Sequence, residues 1–227
     1  MHFLDFIFPK QCVSCARFGK YICDQCLKKA SYAPLVCPVC RRTTFAGKIH
    51  KNCLKEYEPD GAVAIWKYTG VVQRALKVLK YHYAFTIAEE IADRMSLELL
   101  KYKLPVTRPV LVPIPLHSKR KRIRGFNQAE EIGKLIVVSL KWSYRDDLLI
   151  RSKRSKPQAL LRPFYRSRNI RGKFAVNAEK LAKIDKNASI ILFDDVWTTG
   201  STLFEATKVL KKAGVKHVWI LTVARSS

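Results

Sequence analysis

Two apolar runs of strand length, 189–193 (SIILF) and 217–223 (HVWILTV), frame an amphipathic stretch over 203–213 that Gly214 terminates. A strand, a helix and a second strand with a crossover of this size imply parallel pairing and a right-handed connection. A parallel sheet in turn needs both faces covered. The same alternation is legible upstream: strands at 62–68 (AVAIWKY), 110–114 (VLVPI) and 148–150, and helices at 71–81, 87–102 and 128–140. The expected fold class is α/β, with a parallel sheet core.

The seven cysteines all fall within the first 53 of 227 residues. Such segregation marks a separate module, and the sequence divides into 1–58 and 59–227, near Pro59, where the cysteines end. No window has the roughly 18–20 uninterrupted apolar residues of a membrane span, and the opening MHFLDFIFPKQC lacks the features of a signal peptide, so a soluble, cytoplasmic protein is expected. Thiols stay reduced in that compartment, which favours metal ligation over disulfides. Cys12, Cys15, Cys23 and Cys26 form C-x2-C-x7-C-x2-C, able to present four thiolates to one tetrahedral zinc. Cys37 and Cys40 make a third knuckle, and His50 with Cys53 completes a three-cysteine, one-histidine second set. Spacing alone also allows an interleaved pairing, in which the first and third knuckles share a metal. One or two zinc ions are expected, structural in role because four protein ligands leave no open position.

The run 190–202, IILFDDVWTTGST, carries the most chemistry. A buried strand ends in Asp194 and Asp195, at the carboxyl edge where open α/β sheets bind ligands. Thr198, Thr199, Gly200, Ser201 and Thr202 then lead into a helix, offering hydroxyls, a tight turn and a helix N-terminus to a monophosphate. Thr202 and Glu205 fit a capping box. No Walker lysine follows the glycine, so the triphosphate P-loop pattern fails. Paired carboxylates suit ribose hydroxyls, with magnesium holding a neighbouring pyrophosphate. A phosphorylated ribose is the implied substrate.

Two basic segments complete the expected site. Strand 110–114 runs into a loop with five basic residues at 119–124, and Ser118, Lys119 and Arg120 are its candidate pyrophosphate-binding residues. Gly125, Phe126, Asn127 and Gln128 behind it read as a defined turn and helix entry. From Arg151 to Lys173 there are nine basic residues and no acidic one, consistent with a lid whose Arg154 and Lys156 stabilise charge developing on departing pyrophosphate.

The segment 190–202 resembles the signature of type I phosphoribosyltransferases. That resemblance implies that Asp194 and Asp195 contact the ribose 2′ and 3′ hydroxyls and that residues 198–202 wrap the 5-phosphate. Trp197 stands where the signature usually has a smaller or aliphatic residue, a departure that bears on the shape of the site's entrance. Taken with VPIPLHSKRKRIRGFNQA, SKPQALLRPFYRSRNIRGKF and the FPKQCVSC opening, the sequence resembles the ComF family of competence-associated, GntX-type phosphoribosyltransferase-like proteins. The resemblance covers nearly the whole chain. It implies a type I phosphoribosyltransferase fold behind a double zinc ribbon-like module, 5-phosphoribosyl-1-pyrophosphate and magnesium as ligands, and involvement in DNA uptake.

Composition separates two function classes without choosing between them. With 43 Lys and Arg against 18 Asp and Glu the formal charge is +25, which concentrates any polyanion at the surface. An enzyme transferring phosphoribose to a nitrogenous acceptor fits. So does a non-catalytic protein that holds single-stranded DNA alongside DNA-uptake proteins, for which Phe126, Trp142 and Trp197 are candidate stacking residues, though each is more simply a core or pocket residue.

Overall fold

A computed structural model describes residues 9–79, 84–102, 104–116, 122–151 and 174–226. Five strands form one parallel sheet in the order β1-β7-β6-β2-β3: β1 (Gly61–Lys67), β2 (Val110–Pro113), β3 (Ser143–Tyr144), β6 (Ser189–Trp197) and β7 (His217–Arg225). A separate antiparallel ribbon joins β4 (Leu149–Arg151) to β5 (Phe174–Val176). The α/β expectation therefore holds, parallel pairing of 189–193 with 217–223 included.

Each face of the sheet has its own core. On one side Val63, Ile65, Leu111, Ile191, Phe193 and Leu221 meet α2 (Gly70–Val78), α3 (Ala84–Tyr102) and α4 (Gln128–Leu140). In α3 the buried positions Ile87, Ala88, Ile91, Ala92, Met95 and Leu99 recur at three-to-four spacing, one stripe of a 3.6-residue helix. On the other side Val110, Val112, Ile190, Leu192 and Ile220 pack with Leu181 of the short helix α5 (Ala178–Ala182) and with Leu203, Ala206 and Leu210 of α6 (Ser201–Lys212). Each such aliphatic side chain contributes about 1.5–3 kcal/mol on burial.

Strands β6 and β7 run past their apolar stretches to Trp197 and Arg225, because the ladder continues through Asp194↔Thr222, Val196↔Ala224 and Trp197↔Arg225. Cross-strand pairing here overrides the poor strand propensity of aspartate. The turn expected at 125–128 is present. Gly125 has φ 78°, and Asn127 caps α4, its side-chain oxygen accepting from the Ala129 amide at 3.1 Å. Its amide group donates to the Ile114 carbonyl at 3.0 Å, which ties the start of α4 to the end of β2.

The cysteine-rich segment lies against this core. Bridges Tyr32↔Trp66 and Lys48↔Gly61, with the Ala33 amide donating to the Ile65 carbonyl and the Lys67 amide to the Ser31 carbonyl, run it along the outer edge of β1. Gly47 is needed for that approach: it has φ 75°, and a Cβ there would stand 2.2 Å from the Ala62 carbonyl oxygen. At the other end of the segment, Glu90 of α3 accepts from the Tyr21 and Ile22 amides at 3.0 and 2.7 Å, just before the short helix α1 (Asp24–Lys28). No helix among the described residues is long and apolar enough to cross a membrane.

Candidate functional site

The end of β6 presents the two carboxylates as the sequence implied. Asp194 and Asp195 are half-buried, and one oxygen of each accepts the next residue's amide, from Asp195 at 2.9 Å and Val196 at 2.8 Å. Thr198, Thr199 and Ser201 are exposed, Thr202 is half-buried and Gly200 is buried. The loop and the carboxylates thus occupy one short stretch at the carboxyl edge of the sheet. Asp194 and Asp195 fall in the last four residues of β6 and Ser201 and Thr202 open a twelve-residue helix, at whose N-terminus amide donors and the helix dipole favour an anion.

Two details differ from the sequence expectation. Helix α6 begins at Ser201, with Gly200 at its N-cap in the left-handed conformation (φ 82°) and no side-chain cap, so Thr202 and Glu205 do not form the expected capping box. Thr199 supplies the local side-chain contact instead, its Oγ1 accepting from the Ser201 amide at 3.3 Å and donating to the Ser201 hydroxyl at 3.2 Å. The chain turns so sharply at Gly200 that a Cβ would sit 2.6 Å from Trp197 Nε1 and 2.9 Å from the Phe204 ring. A glycine is therefore required there on two counts, conformation and space. Trp197 itself does not shape an entrance. It is 1% exposed and packs beneath the loop in the same core as Leu203 and Val36, so it presents no face on which a base could stack.

Trp197 has two basic neighbours that sequence reasoning missed. The Arg41 guanidinium lies over its ring at 4.1 Å from the centroid and donates through Nη2 to the Thr199 carbonyl at 2.9 Å; Arg225 lies over the same ring at 5.6 Å. Burial, and then the charge of Arg225, draws the Arg41 pKa below its ordinary value, and burial does the same to Arg225. Both remain cations at neutral pH, since arginine does not lose its proton in proteins. Among the described residues neither is paired with a carboxylate. Two buried donors, Trp197 Nε1 and Arg225 Nη1, have no hydrogen-bond partner there. The sequence signal for Arg41 was only the CRR following the third knuckle, with nothing to indicate a contact 158 residues away.

The candidate pyrophosphate residues Ser118, Lys119 and Arg120 and the candidate lid cations Arg154 and Lys156 lie outside the described residues. At the border of the second segment, Arg151 donates to the Pro115 carbonyl at 3.2 Å, bringing the start of the 151–173 stretch beside the end of the 110–116 segment.

The cysteines form two groups, Cys12, Cys15, Cys23 and Cys26, and Cys37, Cys40, His50 and Cys53, with the candidate ligand atoms of each group all within 4.8 Å of one another. The interleaved pairing is thereby excluded. Tetrahedral zinc at about 2.3 Å from each sulfur holds its sulfurs about 3.8 Å apart. The Cys15 and Cys23 sulfurs are separated by 3.6 Å, and Cys40 Sγ lies 3.2 Å from His50 Nδ1. All seven cysteines are free of disulfides, and both groups fit structural zinc sites. Each group also holds a thiol disposed to ionise. Burial opposes it at Cys12, but the amides of Cys23, Ser14 and Cys15 bring that thiol to about 6; the Arg42 amide and then His50 bring Cys40 to about 6. Their partners move the other way, Cys26 to about 12 chiefly through Cys15, and Cys53 to about 11 chiefly through burial. Metal binding needs every one of these thiols deprotonated, so it releases whatever protons the cluster still holds.

Fold and site together define a parallel α/β protein with a hydroxyl-rich loop leading from a strand's carboxyl edge into a helix N-terminus, and two cysteine-rich clusters suited to zinc. No family model matches the sequence. Over all 240 aligned residues, 100% of both chains, it is 27% identical to competence protein F of Haemophilus influenzae. It is 29% identical to competence protein ComFC of Streptococcus pneumoniae (83% of this chain, 80% of that one) and 24% identical to DNA utilization protein YhgH of Escherichia coli O157:H7 (95% and 88%). The chain is thus similar, over most of its length, to proteins named for competence and DNA utilization. Similar solved structures include adenine phosphoribosyltransferases of Trypanosoma brucei, in complex with AMP, pyrophosphate and ribose-5-phosphate (17% identity, 71% of this chain and 70% of that one, TM-score 0.37), and Leishmania donovani (13%, 88% and 64%, TM-score 0.34).

Proposed function

We propose that the chain binds 5-phosphoribosyl-1-pyrophosphate with magnesium and transfers the phosphoribose to a nitrogenous acceptor. The bond from ribose C1 to pyrophosphate breaks and a bond from C1 to nitrogen forms. In this reading residues 1–58 are the zinc module and 59–227 the phosphoribosyl domain. The observation that carries the proposal is the succession of two half-buried carboxylates, a left-handed Gly200 and the start of α6 within one loop. Carboxylates accept from ribose hydroxyls, and amides and hydroxyls at a helix N-terminus donate to phosphate. Magnesium supplies charge neutralisation of the pyrophosphate when bound. Ser118, Lys119 and Arg120, and from the lid Arg154 and Lys156, are assigned to the pyrophosphate side on charge alone. Titration calorimetry with 5-phosphoribosyl-1-pyrophosphate is expected to give saturable binding that requires magnesium. Absence of binding with magnesium present would overturn the proposal.

A second reading, binding of single-stranded DNA in the handling of imported DNA, is favoured by the +25 charge and by the competence and DNA-utilization names of the relatives. It does not require turnover and can coexist with the first. Binding through phosphates is expected to weaken ~10-fold between about 50 and about 200 mM salt in a fluorescence anisotropy titration. A salt-independent affinity would rule out this electrostatic mode. Trp197 is too deeply buried to contribute stacking, leaving half-buried Phe126 and Trp142 as the aromatic candidates.

A further inference from the structure

The contact between Arg41 and the phosphate loop begins in the second cysteine cluster. Residues 36–43 form a tight hairpin in which Val36 bridges Thr43, the Cys37 amide donates to the Arg42 carbonyl at 2.9 Å and the Arg41 amide to the Cys37 carbonyl at 3.0 Å. Cys37 and Cys40, two ligands of the cluster, close this turn, and Arg41 follows immediately with φ 64°. A non-glycine residue in the left-handed region costs roughly 1–2 kcal/mol, so the turn persists only while something holds it. From that position the side chain reaches the Thr199 carbonyl and covers Trp197, whose buried Nε1 is directed at Gly200 without a partner.

We propose that Arg41 is a positioning residue for the phosphate loop, and that metal in the Cys37, Cys40, His50 and Cys53 cluster, by fixing the turn that carries Arg41, raises the loop's affinity for phosphorylated ribose. The proposal rests on the loop being the phosphoribose site. Thr198, Thr199 and Ser201 are exposed, and ordering such residues on binding costs about 1–2 kcal/mol each. An arginine that holds the Thr199 carbonyl orders part of the loop beforehand, which leaves less to be ordered by the ligand. Because a trans peptide directs its N–H opposite to its C=O, fixing that carbonyl also fixes the direction of the Gly200 amide. Its charge, unpaired with any carboxylate among the described residues, adds attraction for an anion. Without the metal the turn retains three backbone hydrogen bonds, from the Cys37, Arg41 and Thr44 amides, against a strained residue, and Arg41 is held less firmly.

Such coupling is reciprocal: a metal that strengthens ligand binding is itself held more tightly when ligand is bound, by the same factor. The test is a cycle of four proteins, wild type, Arg41→Gln, Cys53→Ser and the double variant, each titrated by calorimetry with 5-phosphoribosyl-1-pyrophosphate and magnesium. Arg41→Gln is expected to keep its full zinc content and thermal unfolding midpoint while losing about tenfold in affinity. Cys53→Ser loses one zinc and a similar factor, and the double variant loses no more than either single one, because both remove the same contact. Arg41→Lys, which keeps a donor and the charge, recovers part of the loss. The ligand should also slow zinc transfer to a zinc-selective chromogenic chelator in the wild type and not in Arg41→Gln. If the zinc-loaded wild type binds no ligand, the reading of the loop fails. If the wild type binds and Arg41→Gln binds equally well, or if Cys53→Ser weakens binding as much in the Arg41→Gln background as in the wild type, the coupling is refuted and the reading of the loop stands.

Discussion

Replacing Cys26 by serine is expected to remove one zinc equivalent from the full-length protein and to unfold residues 12–28 locally while the sheet stays intact. That stretch contains α1, with no buried residue, and a few reciprocal backbone hydrogen bonds such as the Cys12 amide to the Arg17 carbonyl and the Val13 amide to the Tyr21 carbonyl. Its buried residues, Cys12, Tyr21, Ile22 and Cys23, pack against the main core, and two of them are members of the cysteine cluster, so the segment has no core of its own to hold it once the metal is gone. Zinc binding by small modules supplies about 10–16 kcal/mol, most of which is folding free energy, so the loss is far larger than any other contact in the segment can offset. Glu90 would then lose the Tyr21 and Ile22 amides that it accepts from, and its carboxylate would return to solvent. Elemental analysis should read two zinc ions per chain in the wild type and one in the variant. Amide hydrogen exchange should show protection lost at 12–28 and retained in β6 and β7. Retention of two zinc ions, or unchanged protection at 12–28, would contradict the assignment of Cys26 as a ligand.

The second large effect concerns the carboxylates. Asp194→Asn with Asp195→Asn keeps the size of both side chains and an oxygen on each to accept the Asp195 and Val196 amides, so the fold should persist. The double variant is expected to bind 5-phosphoribosyl-1-pyrophosphate about a hundredfold more weakly, since hydrogen bonds to charged groups are worth about 1.5–3 kcal/mol each. Calorimetry with ligand and magnesium, after thermal unfolding curves have been matched, reads the effect. Equal affinities would place the phosphoribose elsewhere, and the proposed transferase activity would lose its site.

What could be read from the sequence follows the range of the interactions involved. Local signals were sufficient for four strands of the sheet and the four long helices, for the turn at Gly125 and Asn127, and for the carboxylates near the end of β6, because periodicity and capping act within a few residues; β3, β5 and the two five-residue helices were too short to carry a period. The capping box failed for a physical reason that is also local: Gly200 takes the left-handed N-cap position itself, starting α6 at Ser201, one residue before the Thr202 that was expected to cap it. Cysteine spacing left the ligand grouping ambiguous, and only the three-dimensional proximity of the sulfurs decided it. Arg41 was out of reach altogether. Its role depends on the packing of Val36 into the core that holds Trp197, a contact between parts of the chain with no shared pattern. Trp197 misled for the same reason: an aromatic residue in a ligand loop suggests an entrance, whereas here it fills the space under the turn.

The bridges that lay the cysteine-rich segment along β1 also bear on how the protein meets other chains. An open sheet ends in rows of unpaired backbone groups that invite a foreign strand, and native proteins cover or shorten such edges. Here one margin is occupied by residues 31–33 and 48–49 through the Ile65 and Asp60 carbonyls and the Lys67 amide, and the opposite margin, β3, is two residues long. Growth of the sheet by strand addition, whether into a dimer or an aggregate, is blocked at the first and has little to hold at the second. If the segment over β1 came loose, as an empty pair of cysteine clusters would favour, a strand-pairing margin would open and the protein would become prone to self-association.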